Sequence, residues 1–182
     1  MQVLVFDDMT QCTEAEVQRM LPLVSAQRRE QAMKYKHTFG RFCCLKSWVM
    51  LHSLTGISQD WRYNEHGKPF IEGGPYFSIS HCKEGIAVVI DDQLVGIDIE
   101  AIRHANEDLI ERTMNEEERL RVTGYGLPDR MFTRLWTQKE AIVKMEGTGI
   151  ESFEQLQSII ENRKSKLETI EKEKYIVSIA YE

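Results

Sequence analysis

Apolar positions along the chain keep a helical period through Gly56 and then switch to a shorter one. Before the helices, residues 2–6 are largely apolar and stop at Asp7-Asp8, which predicts a short first strand. Thr13 followed by Glu16 has the spacing of a capping box and predicts a short helix that Pro22 ends or bends. Ser25 can cap another helix running through Arg28, Arg29, Glu30 and Lys34. In residues 39–54, Phe42, Leu45, Val49 and Leu54 form a helical stripe with Trp48 between them, and Gly56 supplies the stop. Residues 61–63, 69–71, 76–80 and 86–90 are then short runs separated by turns such as Asn64-Glu65-His66-Gly67 and Gly73-Gly74-Pro75, and these predict strands.

After the turn Asp91-Asp92-Gln93 comes Val95-Gly96-Ile97-Asp98-Ile99-Glu100. As a strand it points Val95, Ile97 and Ile99 one way and Gly96, Asp98 and Glu100 the other. Helices are predicted over 106–114 and 115–123, the second with Asn115 and Glu118 as a capping pair. A further helix starts at Pro128 or Asp129 and runs to Glu146, where Gly147 and Gly149 stop it. The tail predicts a short helix at 153–156, a charged loop at 161–166 and a last strand at 175–181. Strand, helices, then strands thus occurs twice, with the changeover at residues 91–93 and no residue-level repeat. A site in the groove between two such halves is the natural expectation.

Composition narrows the class. With 182 residues and 42% hydrophobic content, the chain can bury a core of one domain or of two small halves. No apolar run approaches the roughly 20 residues of a membrane span, and the N-terminus lacks the basic start and long apolar region of a signal peptide. The expectation is a cytoplasmic monomer that does not engage membranes. Cys12, Cys43, Cys44 and Cys82 lack metal-ligand spacing and read as reduced, small apolar residues. A net charge of -6 argues against general nucleic-acid binding, so any anionic ligand must be held by a local basic cluster.

Candidate chemistry collects around the acidic strand. Asp98 and Glu100 share a face, and taken alone they are equally an acidic outer surface or half of a site for a hard cation with oxygen ligands. Forty residues on, Trp136, Glu140 and Lys144 lie four apart on one helical face, with Lys139 one step round. Glu140 before Lys144 is also the order of an ordinary surface pair, worth about 0.2–0.5 kcal/mol. Trp136 and the small Ala141 better suit a helix packed closely on another layer, with Glu140 as a third oxygen ligand of a magnesium-type site. Ser78-Ile79-Ser80-His81 puts hydroxyls and an imidazole at a strand end where they can grip a phosphate, or simply bond within the fold. Gly67-Lys68-Pro69 is a turn whose backbone amides could face a flat base. Lys34, Lys36, His37 and Arg41 are either a solvated helix face or the local cluster a polyphosphate requires.

Together, Gly96-Ile97-Asp98-Ile99-Glu100 and Trp136-Thr137-Gln138-Lys139-Glu140-Ala141-Ile142-Val143-Lys144 resemble the signature of the 4'-phosphopantetheinyl transferases. The upstream Gly67-Lys68-Pro69 and Phe77-Ser78-Ile79-Ser80-His81 are similar to the two-halved, surfactin-type branch. The resemblance implies an α+β fold of two pseudo-symmetric halves, each a small antiparallel sheet packed on helices. Residues 1–91 would carry nucleotide-side contacts and 92–182 the metal and catalytic residues. It further implies transfer of the phosphopantetheine arm of coenzyme A to a serine of an acyl or peptidyl carrier protein, releasing adenosine 3',5'-bisphosphate. By that likeness Asp98, Glu100 and Glu140 hold Mg2+, Glu140 and Lys144 are catalytic, and Lys36, Arg41, Lys68, Pro69, Ser80 and His81 contact coenzyme A.

Cys82 stands where a serine is usual in this branch, and the region beyond Gly149 is short, implying a trimmed sheet edge. The carrier is expected to be an acidic helical domain met by Met114, Leu120, Arg121 and Tyr125. Two other readings use the same residues: a metal-dependent nucleotide pyrophosphate hydrolase, and a coenzyme A or carrier-binding module without catalysis.

Overall fold

In the computed structural model, which describes residues 1–56, 59–124, 126–150 and 152–182, the first strand β1 (Gln2–Phe6) is followed by three helices. Helix α1 (Glu14–Met20) opens at Thr13, whose hydroxyl accepts from the Glu16 amide at 3.2 Å, and runs into a 3-10 turn carrying Pro22. Helix α2 (Ala26–Met33) opens at Ser25, whose hydroxyl accepts from the Arg28 amide at 3.0 Å. Helix α3 (Thr38–Thr55) ends at Gly56, whose φ of 66° is the left-handed turn that a glycine adopts without strain. A small hairpin, β2 (Arg62–Tyr63) with β3 (Pro69–Phe70), precedes the longer strands β4 (Tyr76–Cys82) and β5 (Gly85–Asp91). These form an antiparallel sheet in the order β1-β5-β4. One face carries Leu4, Phe6, Phe77, Ile86 and Val88 onto Phe42, Leu45 and Trp48 of α3 and Val17 and Met20 of α1.

The second sheet has the order β6-β8-β7, again antiparallel, built from β6 (Val95–Ala101), β7 (Lys166–Glu171) and β8 (Tyr175–Tyr181). Between β6 and β7 lie α4 (Glu107–Thr113), α5 (Glu116–Gly124), α6 (Pro128–Glu146) and α7 (Phe153–Asn162). Two outcomes differ from the sequence expectation. Helix α7 continues to Asn162, and Lys166 begins a strand instead of ending a loop. Lys-Leu-Glu-Thr-Ile-Glu has too little apolar character to announce a strand, yet it pairs on one side only, against β8, where an edge tolerates charge. No helix among the described residues is long and apolar enough to cross a membrane.

The two sheets meet face to face. Val95, Ile97 and Ile99 of β6 and Tyr175, Val177 and Ile179 of β8 pack against Ala87 and Val89 of β5 and Val3 and Val5 of β1. Alternation then sends Gly96, Asp98 and Glu100 to the other face, which α6 covers with Ala141, Ile142 and Met145. Contact there is backbone on backbone: a Cβ at Gly96 would lie 2.1 Å from the Ala141 carbonyl oxygen and 2.4 Å from the Met145 nitrogen. Gly96→Ala therefore forces α6 off the sheet. A loss of roughly 1–3 kcal/mol or more is expected, read as a lowered urea midpoint at unchanged m-value; a midpoint equal to the parent would contradict this contact.

Candidate active site

Beside Gly96, the face of β6 that α6 covers presents its acids to the last turns of that helix. Lys144 Nζ lies 2.7 Å from Asp98 Oδ1 and 2.9 Å from Ser80 Oγ, and the Ser80 hydroxyl donates to the same Asp98 oxygen at 2.8 Å. The triangle joins β4, β6 and α6. Asp98 is only 3% exposed, and its second oxygen, Oδ2, is buried without a hydrogen-bond partner among the described residues. A buried lone oxygen on a carboxylate is costly unless a cation or donor meets it.

Glu140 and Glu100 flank this triangle, and both are half-buried. Burial first, and then the charge of Asp98, raise the pKa of Glu140, with Lys144 acting in the opposite direction. Glu100 is raised by the same two causes; Arg103, Lys144 and a hydrogen bond from Trp136 oppose the rise. The Arg103 guanidinium stands 5.7 Å from the centre of the Trp136 ring. Trp136, Glu140 and Lys144 thus do share one face of α6, and that face is turned to Asp98 and Glu100. Among the described residues no group of three or more His, Cys, Asp or Glu is already gathered to hold a metal. The donors nevertheless fit a hard divalent cation: all are carboxylate oxygens, they repel one another, and Asp98 keeps one oxygen unpartnered.

A pocket of about 220 Å³ adjoins the triangle, lined by Lys68, Pro69, Ser78, Ile79, Val143 and Lys144 among others. The β2–β3 hairpin closes it by gripping the end of α6, where helix carbonyls lack internal partners. Lys68 Nζ donates to the Met145 carbonyl at 2.5 Å, and the Asn64 amide donates to the Gly147 carbonyl at 3.0 Å. Burial lowers the pKa of Lys68. Pro69 also borders a second pocket, of about 160 Å³, with Arg28, Tyr35, Cys44, Tyr63 and His81. His81 is exposed, with the Phe39 ring edge-on at 5.9 Å; the protein packed around the imidazole, and then the Lys144 charge, lower its pKa.

Arg28 is the cation that sequence reasoning passed over. It is 4% exposed, its guanidinium lies 3.7 Å from the Trp61 ring centre, and its Nε has no hydrogen-bond partner among the described residues, with Asp60 Oδ1 at 3.7 Å. The signal was present, since Arg28 is four residues before Ala32 on the buried side of α2. The expected basic residues behave differently. Lys36 is exposed in the bend between α2 and α3, and Arg41 donates to the Tyr35 carbonyl at 3.0 Å and pairs with Glu14 at 3.6 Å. Neither lines the two pockets.

Comparison with known proteins bears on what this arrangement is. Residues 94–180 match the family model of the 4'-phosphopantetheinyl transferase superfamily. That match takes in just under half of the chain. The chain is 28% identical over 151 residues to the 4'-phosphopantetheinyl transferase ffp of Bacillus subtilis, covering 76% of this chain and 66% of the relative. It is 30% identical over 118 residues to the transferase gsp of Aneurinibacillus migulanus (64% and 50%). It is 40% identical over 114 residues to the transferase AcpT of Salmonella typhi (54% and 55%). The chain thus spans 50% to 66% of the length of these curated relatives. The surfactin-type resemblance and the α+β fold read from the sequence both hold.

One position of the 136–144 stretch is structural. Lys139, adjacent to Glu140, is wholly buried; its ammonium donates to Glu118 Oε2 at 2.7 Å and to the Leu156 carbonyl at 2.5 Å. Glu118 meanwhile completes the expected capping pair by accepting from the Asn115 amide at 3.0 Å. Helices α5, α6 and α7 are pinned together at this one ammonium. Met114 is a correction: it is 0% exposed in the core beside Val122, Phe132 and Leu135, so it cannot meet a carrier. Leu120 and Arg121 are exposed, and Tyr125 lies outside the described residues. Lys139→Met leaves Glu118 buried and uncompensated, so stability should fall by roughly 3–5 kcal/mol. Lys139→Met with Glu118→Gln should recover part of that loss in the same denaturation assay.

Proposed function

We propose that this protein transfers the 4'-phosphopantetheine arm of coenzyme A to a serine of an apo carrier protein, with Mg2+, releasing adenosine 3',5'-bisphosphate. The observation that carries this reading is the convergence of Asp98, Glu100, Glu140 and Lys144 beside a pocket that Lys144 of α6 lines together with Ser78 and Ile79 of β4. Asp98, Glu100 and Glu140 are the residues that would hold the magnesium. So held, the ion would supply neutralisation of the pyrophosphate charge. Lys144, already facing the pocket, neutralises the developing charge of the leaving bisphosphate.

In the transfer, the carrier serine oxygen forms a bond to the phosphorus that bears pantetheine, and the bond from that phosphorus to the bisphosphate breaks, its electron pair leaving with the bisphosphate. The serine proton goes to Glu140. Burial and then the Asp98 charge raise the proton affinity of that carboxylate above its ordinary value, which suits a proton acceptor. Lys68, Pro69 and His81 line the pockets that would take the nucleotide, and Arg28 offers its 3'-phosphate a buried guanidinium. Ser80 is bonded to Asp98 and Lys144, and its role in this reading is to position that pair. The same reading divides the chain into a nucleotide-side half, 1–91, and a metal-side half, 92–182.

Incubation with an apo carrier, coenzyme A and Mg2+ tests it by mass spectrometry. A phosphopantetheine mass gain on the carrier is expected. Loss of coenzyme A without modification would point to hydrolysis, and binding alone to a non-catalytic module. Asp98→Ala and Glu140→Ala should each reduce transfer by at least about 100-fold while coenzyme A still binds; full activity in either would remove the metal-site reading. We propose further that exposed Leu120 and Arg121 meet the acidic carrier. Leu120→Ala with Arg121→Glu should raise the carrier's KM and leave that of coenzyme A unchanged.

A further inference from the structure

Asp98 uses its two oxygens unequally. Oδ1 receives both the Lys144 ammonium, at 2.7 Å, and the Ser80 hydroxyl, at 2.8 Å, while Oδ2 is buried with no partner. The two ends of the ion pair also differ in freedom, since the Lys144 side chain is 30% exposed and that of Asp98 is 4% exposed. Among the described residues Lys144 has one further bond, to neutral Ser80, and a flexible stem that already borders the pocket. A divalent ion on Asp98 would meet this ammonium at short range, as a like charge.

We propose that Lys144 is the resident counter-cation of Asp98 and competes with the divalent ion for that carboxylate. The ammonium neutralises Asp98 until the ion takes over, and is then released toward the pocket, where it meets the substrate pyrophosphate. The inference rests on the three-carboxylate metal reading above. It makes ion and coenzyme A binding mutually reinforcing, because each favours the same departure of Lys144 from Asp98, and such coupling is reciprocal.

Mn2+ binding to the full chain, without carrier and followed by electron paramagnetic resonance of the free ion, tests this apart from activity. Lys144→Met should bind Mn2+ roughly tenfold more tightly than the parent, the scale of removing one like charge near the ion. Coenzyme A should tighten Mn2+ binding in the parent and lose that effect in the variant. Lys144→Gln, which keeps a polar tip, provides the same comparison should the methionine variant not fold. Asp98→Ala should weaken Mn2+ binding. If Asp98→Ala weakens it while both Lys144 variants bind no better than the parent, competition is wrong and the metal reading survives. If Asp98→Ala leaves Mn2+ binding unchanged, the metal reading fails, and this inference with it.

Discussion

The close approach of α6 to β6 at Gly96 is the constraint on which the site depends. A helix resting on side chains has latitude to slide and roll, whereas the Ala141 carbonyl and Met145 nitrogen lie where a Cβ at Gly96 would have to be. That contact fixes both the height and the rotation of α6 above the sheet. Asp98 is two residues along the same strand face, and Lys144 is the residue before Met145, so their meeting at 2.7 Å follows from the glycine contact. Glycine in a strand weakens it, by roughly 0.5–1 kcal/mol relative to alanine. Here the weakness is offset by flanking Val95, Ile97 and Ile99, all fully buried between the sheets.

Holding carboxylates together costs more than holding a helix in place. The Asp98 charge raises the proton affinity of both Glu100 and Glu140, and the fold answers with Lys144 on Asp98, Arg103 near Glu100, and the Trp136 hydrogen bond to Glu100. These compensations stop short of completion, because Asp98 Oδ2 remains unpaired. Lys139 and Glu118 show how the same chain treats a buried charge meant only for structure. There the ammonium donates to both a carboxylate and a carbonyl, and a backbone amide donates to the same carboxylate. Glu118 too keeps one buried oxygen, Oε1, without a partner among the described residues, so access is what separates the two pairs: the Lys139 side chain is wholly buried, whereas that of Lys144 is partly exposed and borders the pocket.

Much of this was legible locally. Thr13, Ser25 and Asn115 cap their helices, Gly56 and Gly147 stop theirs in left-handed turns, and the alternation of 95–100 sorted inward from outward residues. The signature helix face carrying Trp136, Glu140 and Lys144 was also readable, because spacing of four is a local property. What escaped depends on partners distant in sequence. Strand β7 exists because β8 offers an edge, Met114 is buried because α6 covers it, and Ser80 turns to Asp98 eighteen residues later because β4 runs beside β6. In sequence Lys139 is only one step round the helix from the face that carries Lys144; Glu118, 21 residues upstream, shows its structural role.

The joint between the halves decides what the site can be. The superfamily match covers the acidic strand, α6 and the second sheet, yet the pocket beside Lys144 is walled by Lys68, Pro69, Ser78 and Ile79 from the first half. Asn64 and Lys68 hold the hairpin to the carbonyl end of α6, and Tyr175 donates to Asp7 at 2.8 Å on the sheet-to-sheet side. Each bond uses a group the other half leaves unsatisfied, a free helix carbonyl or an exposed carboxylate. In the proposed reading the second half supplies the charge, and the enclosure that would orient an anionic substrate against it comes from the first. A carboxylate cluster without that wall would face open solvent, where its field is screened and its selectivity for one substrate is weak.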